Sequence, residues 1–280
     1  MILEKVILEG SSILKKNGIK TSRLDSEILM SKAINKDRVF MILNSNQNLE
    51  KKSLNCFFDL IKKRSLGTPV SYLTGKKNFW NNEFQINKNV LIPRPDTELI
   101  IQEALKLTKN KNKLRVLDIG TGSGCLILTI LKEKKNFSGI GIDISEKCLN
   151  LAKINRDNFA LGNRVKFLKS DIDNFNYGKY DLIVSNPPYI KKIDLKYLER
   201  DVINFEPLIA LNGGIDGLSE IRKVIYRSFK LLKSNGKLIL EIGFNQKNDV
   251  KRLLKKKGFY INEVVKDLAK NNRCIISTKI

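Results

Sequence analysis

The 280-residue sequence contains no histidine. Histidine is the side chain that changes charge near neutrality, so imidazole acid–base catalysis, serine–histidine hydrolysis and histidine-ligated zinc are all excluded. The four cysteines, Cys56, Cys125, Cys148 and Cys274, stand far apart with no Cys-x-x-Cys pair. Neither a zinc ribbon nor a disulfide framework is expected of them, and they read as reduced, mostly buried thiols of a reducing compartment. No stretch approaches the run of about 20 apolar residues that a membrane span needs. The opening MILEKVILEGSSILKK mixes charges among its apolar residues and has no cleavage site, so a secretory signal is not expected. Together these absences predict a cytoplasmic protein with no bound metal and no membrane contact. Acidic side chains are scarce: 29 against 52 basic ones, for a formal charge of +23. Positive charge on that scale attracts polyanions whatever the fold. The lysines are scattered along the chain rather than gathered, so nucleic-acid binding is not required by the composition.

What is present is 42% hydrophobic and arranged in periodic runs, which excludes global disorder and allows one large or two modest domains. Residues 1–73 read as a small all-helical domain. Val6, Ile7, Ile13 and Leu14 recur at helical spacing; after Gly18, TSRLDSEILMSKAI repeats the pattern with Thr21 or Ser22 as N-cap, and a third helix is expected over 53–64. In residues 74–92 the period shifts to alternation, as in Phe84-Gln85-Ile86, predicting a β-hairpin linker. From 93 to 280 strands and helices alternate. Strands are expected at 114–119, 138–144, 164–168, 180–185, 237–242 (after an Asn235-Gly236 turn), 260–265 and 274–279. This is an α/β pattern: a mostly parallel seven-stranded sheet covered by helices, with the last two strands pairing antiparallel at one edge.

Two loops at strand ends carry the chemistry. Asp118-Ile119-Gly120-Thr121-Gly122-Ser123-Gly124 joins a strand to a helix, where missing Cβ atoms and free N–H groups admit a ligand. Asp143 follows about twenty residues on, at the end of the next strand, where an acid can accept both hydroxyls of a ribose. A dinucleotide loop needs its third glycine at position 125, which is Cys125; the spacing Asp-x-Gly-x-Gly-x-Gly instead resembles the S-adenosyl-L-methionine (SAM) loop of Rossmann-like methyltransferases. The second loop is Asn186-Pro187-Pro188-Tyr189. On its own it is a rigid turn. At the end of a strand adjacent to the first, it would share a crevice with the glycine loop. An amide or aromatic amine is a poor nucleophile because its lone pair is delocalised. The Asn186 side-chain oxygen and the Pro187 carbonyl can each accept one N–H of an –NH2 group, aiming that lone pair at a methyl donor. The Tyr189 ring can lie flat on the planar group. A sulfonium leaves readily, so positioning and electrostatics suffice without a strong base.

With PVSYLTG (69–75), LIPRPDTE (91–98), FEPLIAL (205–211) and GIDGL (214–218) added, the whole chain resembles the N5-glutamine methyltransferases that modify class-I peptide chain release factors. The resemblance implies a Rossmann-like SAM-dependent domain, with Gly120, Thr121, Gly122, Ser123, Gly124 and Asp143 holding SAM. It implies that Asn186, Pro187, Pro188 and Tyr189 bind the glutamine, with Asn186 also beside the cofactor, and that Ile172 forms an apolar wall where the family closes over adenine. It also implies that the helical domain grips a protein substrate presenting its glutamine on a flexible loop. Arg94 and Glu206 are candidate gating residues, or a salt bridge that orients loops. Asn-Pro-Pro-Tyr is shared with amino-methyltransferases of adenine and guanine in nucleic acids, which remain an alternative, as does a binding module that kept only the fold.

Overall fold

The computed structural model describes all 280 residues. The chain divides into two compact units: Met1–Lys76 with Glu199–Phe205, and Lys77–Leu198 with Glu206–Ile280.

The first unit is helical. α1 (Leu3–Lys16) buries Leu3, Val6, Ile7, Gly10 and Leu14, the stripe its period dictates. α2 (Ser22–Ile34), α3 (Arg38–Leu43), α4 (Lys51–Ser65) and α5 (Val70–Thr74) follow. Leu29, Met30, Met41, Phe57 and Ile61 complete one core with the α1 residues. α2 starts at the expected place, yet Thr21 makes no side-chain cap. Its ψ of 24° departs from the extended backbone that lets an N-cap side chain reach back to the helix. Asp25 and Arg64 form a buried ion pair at 2.7 Å, and Arg64 also donates to the carbonyls of Gly67 and Thr68 beyond the end of α4.

A hairpin of β1 (Lys76–Phe79) and β2 (Asn82–Gln85) follows, all but its first residue in the second unit. A 3-10 turn over Pro95–Thr97 leads into α6 (Glu98–Leu107). The strand–helix alternation then runs β3 (Arg115–Ile119), α7 (Cys125–Glu133), β4 (Ser138–Asp143), α8 (Glu146–Asn158), β5 (Val165–Lys169) and β6 (Tyr180–Ser185). α9 (Arg200–Phe205) belongs to the helical unit. α10 (Ser219–Leu231), β7 (Leu232–Glu241), α11 (Lys247–Lys257), β8 (Phe259–Lys266) and β9 (Asn272–Lys279) complete the chain. The strands form a seven-stranded sheet in the order β5-β4-β3-β6-β7-β9-β8. It is parallel from β5 to β7, and β9 runs antiparallel to both β7 and β8. The central strands are apolar on both faces, as helix-covered parallel strands must be.

The short helices α3 and α5 were not expected from the sequence, and the largest shift of a strand boundary is in β7. Asn235-Gly236 lies inside β7 rather than before it. Leu232 already pairs with Tyr180 and Lys237 with Leu182, so the residues between bulge out of register, Asn235 adopting a φ of +58°. Leu232 is fully buried, and drawing it into the sheet starts the strand early. Of the thiols, Cys148 and Cys274 are buried, whereas Cys125 is half-buried and Cys56 exposed.

Candidate active site

Strand order reverses between β3 and β6, which pair in parallel with Ile119 opposite Ser185. The next residues are Gly120 and Asn186, so the two loops singled out in the sequence leave the sheet side by side at its carboxyl edge, where α/β sheets form their crevices. The Ser185 hydroxyl donates to the Ile119 carbonyl at 2.8 Å and ties the two strand ends together.

The glycine loop is held from behind. The N–H groups of Gly120 and Thr121 donate to the Ile142 carbonyl of β4, and the Thr121 hydroxyl donates to Asp118 Oδ2 at 2.7 Å. Asn155, buried in the last turn of α8, donates to the Ser123 carbonyl (2.9 Å) and pairs with both backbone groups of Gln85. Thr121, Ser123 and Gly124 are buried, whereas Gly120 is exposed and Gly122 half-buried. Gly120 and Gly122 adopt φ of +73° and +55°, and a Cβ on either would meet nothing within 4 Å. The loop therefore presents bare backbone to open space, as a ligand cradle requires.

Two carboxyls line the same strand ends. Asp143 accepts the N–H of Gly122 at 3.0 Å and that of Ser145 at 2.9 Å; burial raises its pKa, and those donors oppose the shift. Asp118 is buried, its Oδ1 has no hydrogen-bond partner, and burial pushes its pKa up to about 7, with the Asp143 charge adding to the rise. Cys125, at the start of α7, is pushed up to about 12 by burial and by the Asp118 charge, so it stays a thiol. Ile172 sits in the core with Leu117, Ile119, Ile140 and Ile142, 7% exposed.

In the second loop Asn186 is half-buried and Pro187 buried. Asn186 Nδ2 donates to the Thr97 hydroxyl at 3.0 Å, which leaves Oδ1 as the free end of the amide. The Tyr189 ring packs against the sheet core, and its hydroxyl donates to Glu241 Oε1 at 3.2 Å. The Asn186 amide thus leaves the sheet beside the glycine loop, whose strand ends carry Asp118 and Asp143.

Comparison with known proteins agrees with this geometry. Residues 5–75 match the family model described as the PrmC N-terminal domain, and residues 109–277 match a methyltransferase domain. A release factor glutamine methyltransferase of Clostridium acetobutylicum is 37% identical over 282 residues, spanning 100% of this chain and 99% of that one. One from Caulobacter vibrioides is 34% identical over 280 residues, covering 100% and 97%. This chain belongs to the release factor glutamine methyltransferase family. Its fold is also that of a solved methyltransferase from Pyrococcus furiosus, with a TM-score of 0.53 at 20% identity, covering 70% of this chain and 88% of that structure.

In this member of the release factor glutamine methyltransferase family, the other segments quoted from the sequence brace the site. Glu206, its side chain 1% exposed, pairs with Arg94 and accepts the Ile92 N–H, so FEPLIAL clamps LIPRPDTE. The loop carrying GIDGL lies against the Asn-Pro-Pro-Tyr turn: Ile190 exchanges backbone hydrogen bonds with Leu211 and Gly213, and Gln246 donates to the carbonyls of Tyr189 and Gly217. Sequence reading had not singled out Thr97, Asn155, Glu241, Gln246 or Arg273. Glu241 carried a legible signal: like Asp118 and Asp143, it is an acid at the carboxyl end of an apolar strand.

Proposed function

We propose that this chain transfers a methyl group from S-adenosyl-L-methionine to the side-chain amide nitrogen, N5, of the glutamine in the Gly-Gly-Gln loop of class-I peptide chain release factors. The observation that carries the reading is the juxtaposition at the β3/β6 edge, where the Asn186 amide has its N–H end committed to Thr97. Full-length kinship with release factor glutamine methyltransferases supports the protein substrate. A cytoplasmic setting belongs to the same reading, and no helix is long and apolar enough to cross a membrane.

The donor set suits the cofactor. SAM carries a sulfonium and an ammonium group, and the cradle sets the orphaned, buried oxygen of Asp118 beside Asp143 in a chain that is otherwise strongly basic. Carboxylates whose ionised form lacks compensation favour a cationic ligand. The open backbone of Gly120 and Gly122 lets the ligand approach closely. Asp143 keeps acceptor capacity beyond its two backbone N–H bonds for a ribose. When bound, the cofactor supplies a methyl group activated by its sulfonium.

The protein's part is positioning. Asn186 Oδ1 and the Pro187 carbonyl each take one N–H of the glutamine –NH2. Holding both hydrogens weakens delocalisation of the nitrogen lone pair and directs it toward the cradle. Tyr189, anchored through its hydroxyl, offers its ring to the planar amide. One of the two protons held at these oxygens leaves to solvent as the new bond forms, and no strong base is needed.

The test is to incubate the protein with methyl-labelled SAM and a purified release factor and to locate the label by peptide mass analysis. Label on the Gly-Gly-Gln glutamine is the expected result. No transfer to the factor, with ready transfer to DNA or RNA, would overturn the reading in favour of a nucleic-acid amino-methyltransferase.

A further inference from the structure

Within LIPRPDTE, three polar side chains have distant partners already described or close by. Arg94 pairs with Glu206, Thr97 receives the Asn186 amide, and Glu98 accepts the Trp80 N–H. Asp96 is the fourth, and it forms an ion pair with Arg273 at 3.2 Å. It shares the 3-10 turn with Thr97, so whatever holds Asp96 also places the hydroxyl to which Asn186 donates.

Arg273 stands on β9 next to Cys274, which pairs with Glu241 at the carboxyl end of β7. Its side chain is 14% exposed and meets three partners on three segments. Nε and Nη2 both donate to Asp267 Oδ2, at 3.3 and 3.0 Å, in the turn between β8 and β9. Asp267, buried itself, is held by the Asn271 N–H on its other oxygen. Two bonds to one fixed carboxylate set the plane of the guanidinium, a control that a lysine ammonium does not give. Nη2 then lies at Asp96, and Nη1 donates to the Tyr189 hydroxyl at 3.5 Å. Arginine only donates, so its bond to the Tyr189 oxygen stands wherever the proton between Tyr189 and Glu241 rests.

We propose that Arg273 is a positioning residue for methyl transfer: its guanidinium, fixed by Asp267, holds the Thr97-bearing turn through Asp96 and the Tyr189 ring through its hydroxyl. Asn186 and Tyr189 thereby take their bearings from one side chain, 84 residues beyond Tyr189 in the chain. This rests on the reading of Asn186 and Tyr189 as the residues that hold the glutamine amide. Arg273 touches no substrate; it acts through Asp96 and Tyr189.

The experiment measures kcat and KM for release factor, Kd for SAM by calorimetry, and melting temperature. The variants are Arg273→Lys, Asp96→Asn, the double variant of the two, Tyr189→Phe and Asn186→Ala. Lysine keeps a positive charge for Asp267 and gives up the fork. An arginine that only stapled the β8–β9 turn would change melting temperature and leave kcat alone. The expected result is a fall in kcat of about 10- to 100-fold for Arg273→Lys, the scale of a misplaced reacting group. Kd for SAM should hold within about threefold, since the cradle is untouched. Asp96→Asn should lose about 3- to 10-fold in kcat, and the double variant should be no worse than Arg273→Lys by more than about twofold, as for residues acting through one contact. Wild-type kcat in Arg273→Lys, or losses that multiply fully in the double variant, overturns the proposal. Should Arg273→Lys fail to fold, Asp96→Asn and Tyr189→Phe decide, because both leave the Arg273–Asp267 pair whole; wild-type kcat in both overturns it. Asn186→Ala separates the levels: full activity there refutes the underlying assignment, whereas a collapse there with normal Arg273→Lys activity refutes only the role of Arg273.

Discussion

At Asn186 the outcome turns on one amide. Truncation to alanine removes the oxygen proposed to hold the substrate nitrogen and leaves the Gly120–Gly124 loop intact. Asn186→Ala should therefore lower turnover by about 100-fold or more while calorimetric SAM affinity barely changes. Asp143 behaves oppositely. Its carboxylate already organises Gly122 and Ser145, so Asp143→Ala should weaken SAM binding by at least about 10-fold, as loss of a charged hydrogen-bond acceptor does. Equal affinity in that variant would contradict the ribose assignment. Asn186 was legible because a proline pair beside an amide at a strand end has a chemical meaning of its own. Thr97 was not: it is 89 residues from Asn186, and inside LIPRPDTE it reads as one more helix-start residue.

Among the elements, strands and helices follow period and punctuation closely, and the deviations have local causes. β7 starts early because Leu232 is worth burying, and the bulge absorbs Asn235-Gly236. The loop carrying GIDGL was readable only as a glycine-rich connection; its packing shows why Gly217 is glycine. A Cβ there would lie 2.6 Å from the Tyr189 carbonyl oxygen, and its φ is +76°. Gly217→Ala should cost about 1–3 kcal/mol in urea unfolding and lower kcat together with stability, because it displaces the turn that carries Asn186. In the helical unit, Asp25→Ala strands the Arg64 guanidinium among buried neighbours. The expected loss is about 3 kcal/mol, seen as faster amide exchange in α1, α2 and α4 and not in the sheet.

On the scale of the whole molecule, acids at the sheet's carboxyl edge oppose the general charge of +23. Asp118 and Glu241 are both pushed up to about 7 by burial. The folded state therefore holds their protons more tightly than the unfolded chain does. The stability this confers is complete below the ordinary carboxylate range and is lost as pH rises through about 7. Melting temperature should accordingly fall between about pH 5 and about pH 8, and Asp118→Asn or Glu241→Gln should flatten that slope. An unchanged slope in both variants would show that these two sites are not its source.

The alternation of strands and helices, the glycine cradle with Asp143, the proline-stiffened Asn186 and the basic surplus all followed from the sequence by itself, because periodicity, backbone restriction and side-chain chemistry act over a few neighbouring residues. That the Asn186 amide meets Thr97, and that the Tyr189 hydroxyl meets Glu241 and Arg273, was decided only by tertiary structure. Those contacts join β6, β7, β9 and the Pro95–Thr97 turn, and no local pattern encodes how a sheet orders its strands or sets their register. Folding alone brings such distant residues within a hydrogen bond of one another.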